Sequence, residues 1–291
     1  MNAPVPRELR WQVNGLHLAG LAWGDPAARP LLALHGWLDN AASFSMLAPL
    51  LVQHQVVALD LTGHGRSDRR STDAGYQIWE DLPELLGVLD ALGWLHFDLL
   101  GHSRGAAIAS IMAAAFAERV RSLVLLDGLA PEPVAEAQFP GQLRKYVDDK
   151  RRWLACHNRV YASVDDAIAS RAGDKLPPAA ARLLVERNLR PCDGGYTWST
   201  DLRLRGASAV KLTGGQIAAV LQGLSMPTLL LVAEQGLGGR PEMAALARRC
   251  IGDLQVEAVA GGHHCHMESS VEDLAARINR FLLSTNRGGT R

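Results

Sequence analysis

Short apolar runs with no polar alternation recur along the chain, and each ends in a polar or glycine-containing turn. Leu31–Leu34 stops at His35-Gly36, and Gln55–Asp60 (QVVALD) runs into TGHGRS. Leu95–Leu100, Ser122–Leu126, Thr228–Ala233 and Leu254–Val259 repeat the pattern. A strand that is apolar on both faces must be covered on both sides, which points to a parallel sheet between helices. Stretches with helical spacing separate the runs: Tyr76–Leu92, Arg104–Phe116, Pro241–Cys250 and Val271–Leu283. In the first, Ile78, Leu82, Leu85, Leu86 and Leu89 form one stripe and Gly93 marks a stop. Strand–helix alternation with right-handed crossovers defines an α/β fold, a doubly wound and mostly parallel sheet. An Asn14-Gly15 turn between Leu9–Val13 and Leu16–Ala22 adds a hairpin at the start.

One region breaks this rhythm. From Ala130 to Thr213 no strand is expected, and amphipathic stretches at Gln142–Trp153, Val164–Arg171 and Ala179–Leu189 read as an inserted helical cap. The 291 residues, about twice a usual domain, then divide into a core of residues 1–129 and 214–291 and a cap of residues 130–213. The polar tail after Leu283 (STNRGGTR) is expected to be disordered.

Thirty basic and thirty acidic residues balance without long blocks, which excludes an electrostatic footprint for nucleic acid or an anionic membrane. The two longest uncharged stretches, Asn40–Leu59 and Leu212–Ala233, carry Pro, Gln, His or Gly and are poor membrane spans. The opening MNAPVPRELR lacks the apolar core of a signal peptide. Cys156, Cys192, Cys250 and Cys265 are scattered and read as reduced thiols. A cytoplasmic protein, monomeric or homodimeric, is expected.

The most informative segment is DLLGHSRGAAIA, Asp98–Ala109. Gly101-His102-Ser103-Arg104-Gly105 is a G-x-S-x-G sequence directly after a strand and directly before a small-residue helix. A sharp strand-to-helix turn strains the serine backbone and leaves no room for bulky neighbours, hence the two glycines. The alternative is an ordinary tight turn with a capping serine.

A serine hydroxyl is a poor nucleophile at neutral pH and needs a base. Among ten histidines, those in GGHHCHME (Gly261–Glu268) follow the last strand and emerge at the same sheet edge as Ser103. His263 is the expected base; His264 and His266 read as packing or solvent-facing residues. Zinc would want ligands spread over elements that surround it, and four adjacent residues on one loop do not provide that. No metal or organic cofactor is expected. A carboxylate should orient the imidazole and should fall between serine and histidine in the chain. Asp127, ending Ser122–Leu126, and Glu234, ending Thr228–Ala233, both qualify. For the oxyanion hole, Arg104 offers one backbone N–H and Trp37, after His35-Gly36, a second. His35 itself reads as a structural hydrogen-bonding residue, and the Arg104 side chain as an ion-pair partner of a cap carboxylate rather than of substrate.

HGWLDN, DLTGHGRSD, GHSRG and GGHHCHME together resemble the α/β-hydrolase superfamily over essentially the whole chain. LLDG (Leu125–Gly128), GGYTWSTDLRLR (Gly194–Arg205) and LLLVAEQG resemble its serine hydrolase-like subgroup. The resemblance implies Ser103 as nucleophile, His263 as base, and Trp37 and Arg104 as backbone oxyanion donors. The family usually carries its acid as Asp in a G-x-x-D pattern, and here that pattern reads Ala233-Glu234-Gln235-Gly236. Some relatives place the acid where Asp127 stands, so Asp127 is preferred and Glu234 is the reserve. Relatives with an aspartate nucleophile, the haloalkane dehalogenases and epoxide hydrolases, are excluded by Ser103.

The expected activity is hydrolysis of a small-molecule ester or related acyl compound through an acyl-enzyme. C–C bond hydrolysis or cofactor-free perhydrolysis on the same triad is an alternative. A non-catalytic ligand-binding relative is another, motivated by the missing Asp at Gly236. Trp153, Tyr196 and Trp198 are candidates to line the substrate pocket, with Trp198 foremost.

Overall fold

In a computed structural model, which describes residues 5–173, 176–237 and 241–285, the apolar runs form one eight-stranded sheet. Its strands are β1 (Arg7–Val13), β2 (Leu16–Trp23), β3 (Arg29–Leu34), β4 (His54–Leu59), β5 (Phe97–His102), β6 (Val120–Leu126), β10 (Thr228–Gln235) and β11 (Leu254–Gly262). They lie in the order β1-β2-β4-β3-β5-β6-β10-β11. The six strands from β4 to β11 are parallel, and β2 joins β4 in antiparallel sense. Asn14 and Gly15 both take positive φ, 52° and 80°, the geometry a two-residue turn between twisted strands demands.

Alternate residues of the central strands feed two separate cores, as a period-2 strand buried on both faces must. Leu32, Leu34, Val57, Leu59, Leu99, Leu123, Leu125 and Leu230 pack on one side. There they meet α1 (Leu82–Ala91), α2 (Arg104–Ala115), α6 (Gly214–Gln222) and α7 (Pro241–Cys250). Leu31, Ala33, Val56, Ala58, Leu100, Val124, Leu126 and Leu231 pack on the other, against α8 (Val271–Thr285) and the segment from Ala41 to Leu51.

Several boundaries differ from the sequence reading. β5 starts at Phe97 rather than Leu95, which is 72% exposed, and continues through His102 into the elbow. The Tyr76–Leu92 stretch is helical only from Ile78. A 3₁₀ turn at Ile78–Asp81 leads into α1, with Pro83 in the first turn, where its missing N–H costs nothing. α8 runs to Thr285; the rest of the expected disordered tail, residues 286–291, lies outside the described residues.

Between β6 and α6 the chain forms α3 (Phe139–Leu154), β7 (Val160–Tyr161), α4 (Val164–Ala172), α5 (Pro178–Asn188), β8 (Leu189–Cys192) and β9 (Gly195–Trp198). The three expected helices are present. The three-stranded antiparallel sheet β7-β9-β8 is a correction to the strandless reading. Its strands are two to four residues long, too short for a periodicity to register. The Asp193-Gly194 pair joining Cys192 to Gly195 is the local hairpin signal.

This segment is tied to the sheet by charge. Arg187 of α5 is buried and donates to both carboxylate oxygens of Asp60 at 2.9 Å and to Glu8 of β1 at 2.9 and 3.1 Å. Asp60 also accepts from the Ala41 and Arg66 N–H groups. Removing one partner of a buried pair leaves the other desolvated without compensation. Arg187→Met is therefore expected to lower unfolding stability by about 3–5 kcal/mol. A urea-denaturation midpoint equal to wild type would show that the pair contributes nothing net.

Candidate active site

The turn from β5 into α2 sets the site. Ser103 has φ 54° and ψ −117°, a conformation L-residues rarely adopt, and its N–H donates to the Leu126 carbonyl at 3.0 Å. A Cβ on Gly101 would stand 2.5 Å from the Gly105 carbonyl oxygen, and one on Gly105 would overlap the Leu34 carbonyl. Both glycines are thus required by close backbone approach. Arg104 is the first residue of α2, so its N–H belongs to the turn that has no acceptor within the helix and lies at the positive end of the dipole.

His263 follows β11 and brings its ring between two expected partners. Its Nε2 lies 2.9 Å from Ser103 Oγ, and its Nδ1 lies 2.5 Å from Asp127 Oδ2. A carboxylate accepts, so Nδ1 carries the proton and the Nε2 lone pair faces the serine hydroxyl. Asp127 directly follows β6, is buried with φ 42°, and also accepts from the Ala233 and Leu237 N–H groups at 3.2 and 2.7 Å. The structure thus brings Ser103, His263 and Asp127 into one hydrogen-bonded chain. Glu234 is exposed on β10 and is not part of it.

The neighbouring histidines divide into separate environments. His35 accepts from the Leu61 N–H at Nε2 (3.1 Å) and therefore donates from Nδ1 to the Gly36 carbonyl (2.8 Å). Burial holds its pKa below the ordinary imidazole range. His266 is buried, with Nε2 2.6 Å from Ser43 Oγ, and burial keeps it well below that range too. Cys265 is also buried, which pushes its thiol up to about 12 and makes it inert as a nucleophile. His264 Nε2 stands 3.1 Å from Asp39 Oδ2, and Arg171 of α4 holds Asp39 Oδ1 at 2.5 Å. Burial alone would raise the Asp39 carboxyl; the His264 hydrogen bond and Arg171 hold it well below the carboxylate range instead. His102, between the elbow glycine and Ser103, donates from Nε2 to the His263 carbonyl at 2.8 Å. Burial depresses its pKa to about 3.

Arg104 forms its ion pair with Asp81, before α1, at 3.0 Å, not with a carboxylate of the inserted segment. Trp37 is half exposed, and its indole N–H donates to the Leu204 carbonyl at 2.8 Å. Ser103 and His263 open onto a cavity of about 420 Å³ whose wall includes Trp37, Tyr161, Trp198, Leu202 and Leu237. Trp198 donates its N–H to the Tyr161 hydroxyl at 3.2 Å and is held edge-on to that ring. Of the other two aromatic candidates, Trp153 lines a separate cavity and Tyr196 neither one. Asp39, Arg171 and Tyr161 escaped the sequence reading. Asp39 lies inside HGWLDN and Arg171 ends the amphipathic stretch Val164–Arg171, but neither had been given a role at the site.

Comparison with known proteins agrees with this architecture. Residues 29–160 match the alpha/beta hydrolase fold family. A serine hydrolase-like protein of zebrafish (Danio rerio) is 31% identical over 94% of this chain and 88% of its own length. The human serine hydrolase-like protein 2 is 43% identical over 96% of this chain and 95% of that protein. Among solved structures, a hypothetical protein of Pseudomonas aeruginosa superposes with a TM-score of 0.89 at 37% identity, covering 96% of this chain and 99% of that one. The thioesterase domain of the curacin biosynthetic pathway gives 0.82 at 25% identity, over 96% and 100%. The chain belongs to the α/β-hydrolase superfamily and, within it, to the serine hydrolase-like group. Hydrolysis is the chemistry of that class. Among the described residues, no helix is long and apolar enough to cross a membrane.

Proposed function

We propose that the protein is a serine hydrolase that cleaves a small-molecule ester or related acyl compound through an acyl-enzyme. The observation that carries the reading is the unbroken contact from Asp127 through His263 to Ser103 Oγ at the floor of a cavity of ligand size. The Ser103 hydroxyl passes its proton to His263 Nε2 as Oγ bonds to the substrate carbonyl carbon. Asp127 stabilises the imidazolium, and the backbone N–H groups of Trp37 and Arg104 take the oxyanion. The imidazolium then protonates the departing alkoxide as the C–O bond breaks. Water enters, gives its proton to His263 and attacks the acyl carbon, and the acid leaves with Ser103 restored.

In the same proposal, residues 130–213 act as a cap on the core of residues 1–129 and 214–291. Trp198, which sits on the cavity wall, contacts the acyl group. A cytoplasmic location belongs with it, supported by the free thiols of Cys156, Cys192, Cys250 and Cys265. The non-catalytic alternative drew on the Gly236 position lacking an acid; a carboxylate supplied by Asp127 removes that motive.

A fluorophosphonate probe is expected to add one phosphonyl group, on the peptide containing Ser103, and His263→Ala should abolish the labelling. Intact mass unchanged after exposure to several such probes would sink the reading.

A further inference from the structure

Asp39, His102 and His264 meet on the wall of the Ser103 cavity, and none of them takes part at a reacting atom in the hydrolysis above. The geometry points to a binding site for a divalent transition-metal ion, held by Asp39 Oδ2, His102 Nδ1 and His264 Nε2. These three atoms lie within 4.8 Å of one another. His264 Nε2 is 3.1 Å and His102 Nδ1 3.9 Å from Asp39 Oδ2. Tetrahedral zinc with bonds near 2.1 Å sets its ligand atoms about 3.4 Å apart, so side-chain shifts of about an ångström close the set.

Three further observations favour a ligand here over a self-contained polar cluster. His102 Nε2 carries a proton because it donates to the His263 carbonyl, so Nδ1 presents a bare lone pair. That nitrogen is fully buried and no donor faces it among the described residues. The His263 carbonyl meanwhile fixes the ring, as outer contacts do for metal-bound imidazoles. Arg171 occupies the other carboxylate oxygen of Asp39, so that Oδ2 faces the two imidazoles. Finally, a Cβ at Gly36 would lie 2.9 Å from His102 Nδ1 and 3.1 Å from Asp39 Oδ2; glycine keeps that space clear.

Two imidazoles and one carboxylate select zinc, copper or nickel over magnesium or calcium, which want oxygen ligands. An ion there would sit beside His263, whose ring centroid is 4.7 Å from that of His102 and 5.2 Å from that of His264. Its charge opposes the imidazolium that must form when Ser103 reacts, so occupancy slows that reaction; this last consequence rests on the hydrolase reading.

Equilibrium dialysis against chelator-buffered zinc, with cobalt absorption as a coordination readout, tests the site without any substrate. Wild type should retain one zinc per chain and show tetrahedral cobalt bands. His264→Gln keeps a donor to Asp39 but loses the ligand. It should weaken zinc binding by more than about 100-fold, beyond the usual effect of losing an outer contact. Asp39→Asn should act likewise, and Cys156→Ser, in the separate cavity, should change nothing. Zinc retention equal in wild type and His264→Gln would overturn the site, as would binding that depends on Cys156. Slower fluorophosphonate labelling of Ser103 under zinc checks the consequence. A protein that never labels defeats the hydrolase reading while the dialysis still decides the metal site.

Discussion

Ser103→Ala is expected to lower kcat for a chromogenic acetate ester by about 10⁶-fold, and His263→Ala by about as much. The two side chains form one device, joined at 2.9 Å. The hydroxyl is inert without a base, and the base has nothing to act on without the hydroxyl, so the double variant should be no slower than either single one. Alanine at 103 also meets the positive φ, but it adds no volume and the fold should persist by circular dichroism. Residual turnover in Ser103→Ala within about tenfold of wild type would mean that another group attacks, since losing one supporting donor alone costs more than that.

Asp127→Asn is expected to cost about 10⁴-fold in kcat with the fold retained. An amide at 127 with its oxygen in the place of Oδ1 still accepts from the Ala233 N–H, while the Leu237 N–H, bonded to Oδ2 in the wild type, loses its acceptor. It can also turn an N–H toward His263 Nδ1, which drives the ring proton to Nε2. That tautomer presents a donor where Ser103 needs an acceptor. Glu234→Gln should leave turnover near wild type, because Glu234 is exposed and outside the hydrogen-bonded chain. Normal turnover in Asp127→Asn together with collapse in Glu234→Gln would exchange the two roles.

The parts of this molecule legible in the sequence are those with a local cause. LLAL before His35-Gly36 and QVVALD before TGHGRS read as buried parallel strands because burial on both faces leaves only apolar residues. The elbow is legible because its backbone crowding admits only glycine at 101 and 105. Leu95 misled because an apolar letter carries no record of the turn at Gly93 that leaves it in solvent. The small sheet β7-β9-β8 was hidden because its strands are very short and β7 is held by a distant segment, β9; only Asp193-Gly194, between β8 and β9, speaks locally.

The acid could not be chosen from residue type and strand position alone. Asp127 directly follows β6 and Glu234 lies near the end of the adjacent β10, at the same sheet edge, and the choice lies in where each side chain turns. Asp127 leaves its strand with a left-handed backbone and drops its carboxylate under His263. The cluster of Asp39, His102 and His264 is less legible still, since its members come from three segments that meet only in the folded chain.

In the proposed hydrolase, the anchoring of the inserted segment would also govern how a ligand reaches Ser103. Besides Arg187 against Asp60 and Glu8, Arg171 holds Asp39, Asn40 donates to the Leu184 carbonyl, and Tyr76 donates to Asp201. A swing of the whole segment away from the sheet would have to break these buried contacts together, several of them between full charges. Traffic in and out must instead pass by local rearrangement of exposed wall residues such as Trp37 and Leu237. The bulk of a molecule at its narrowest cross-section, more than its total length, then decides whether it is admitted.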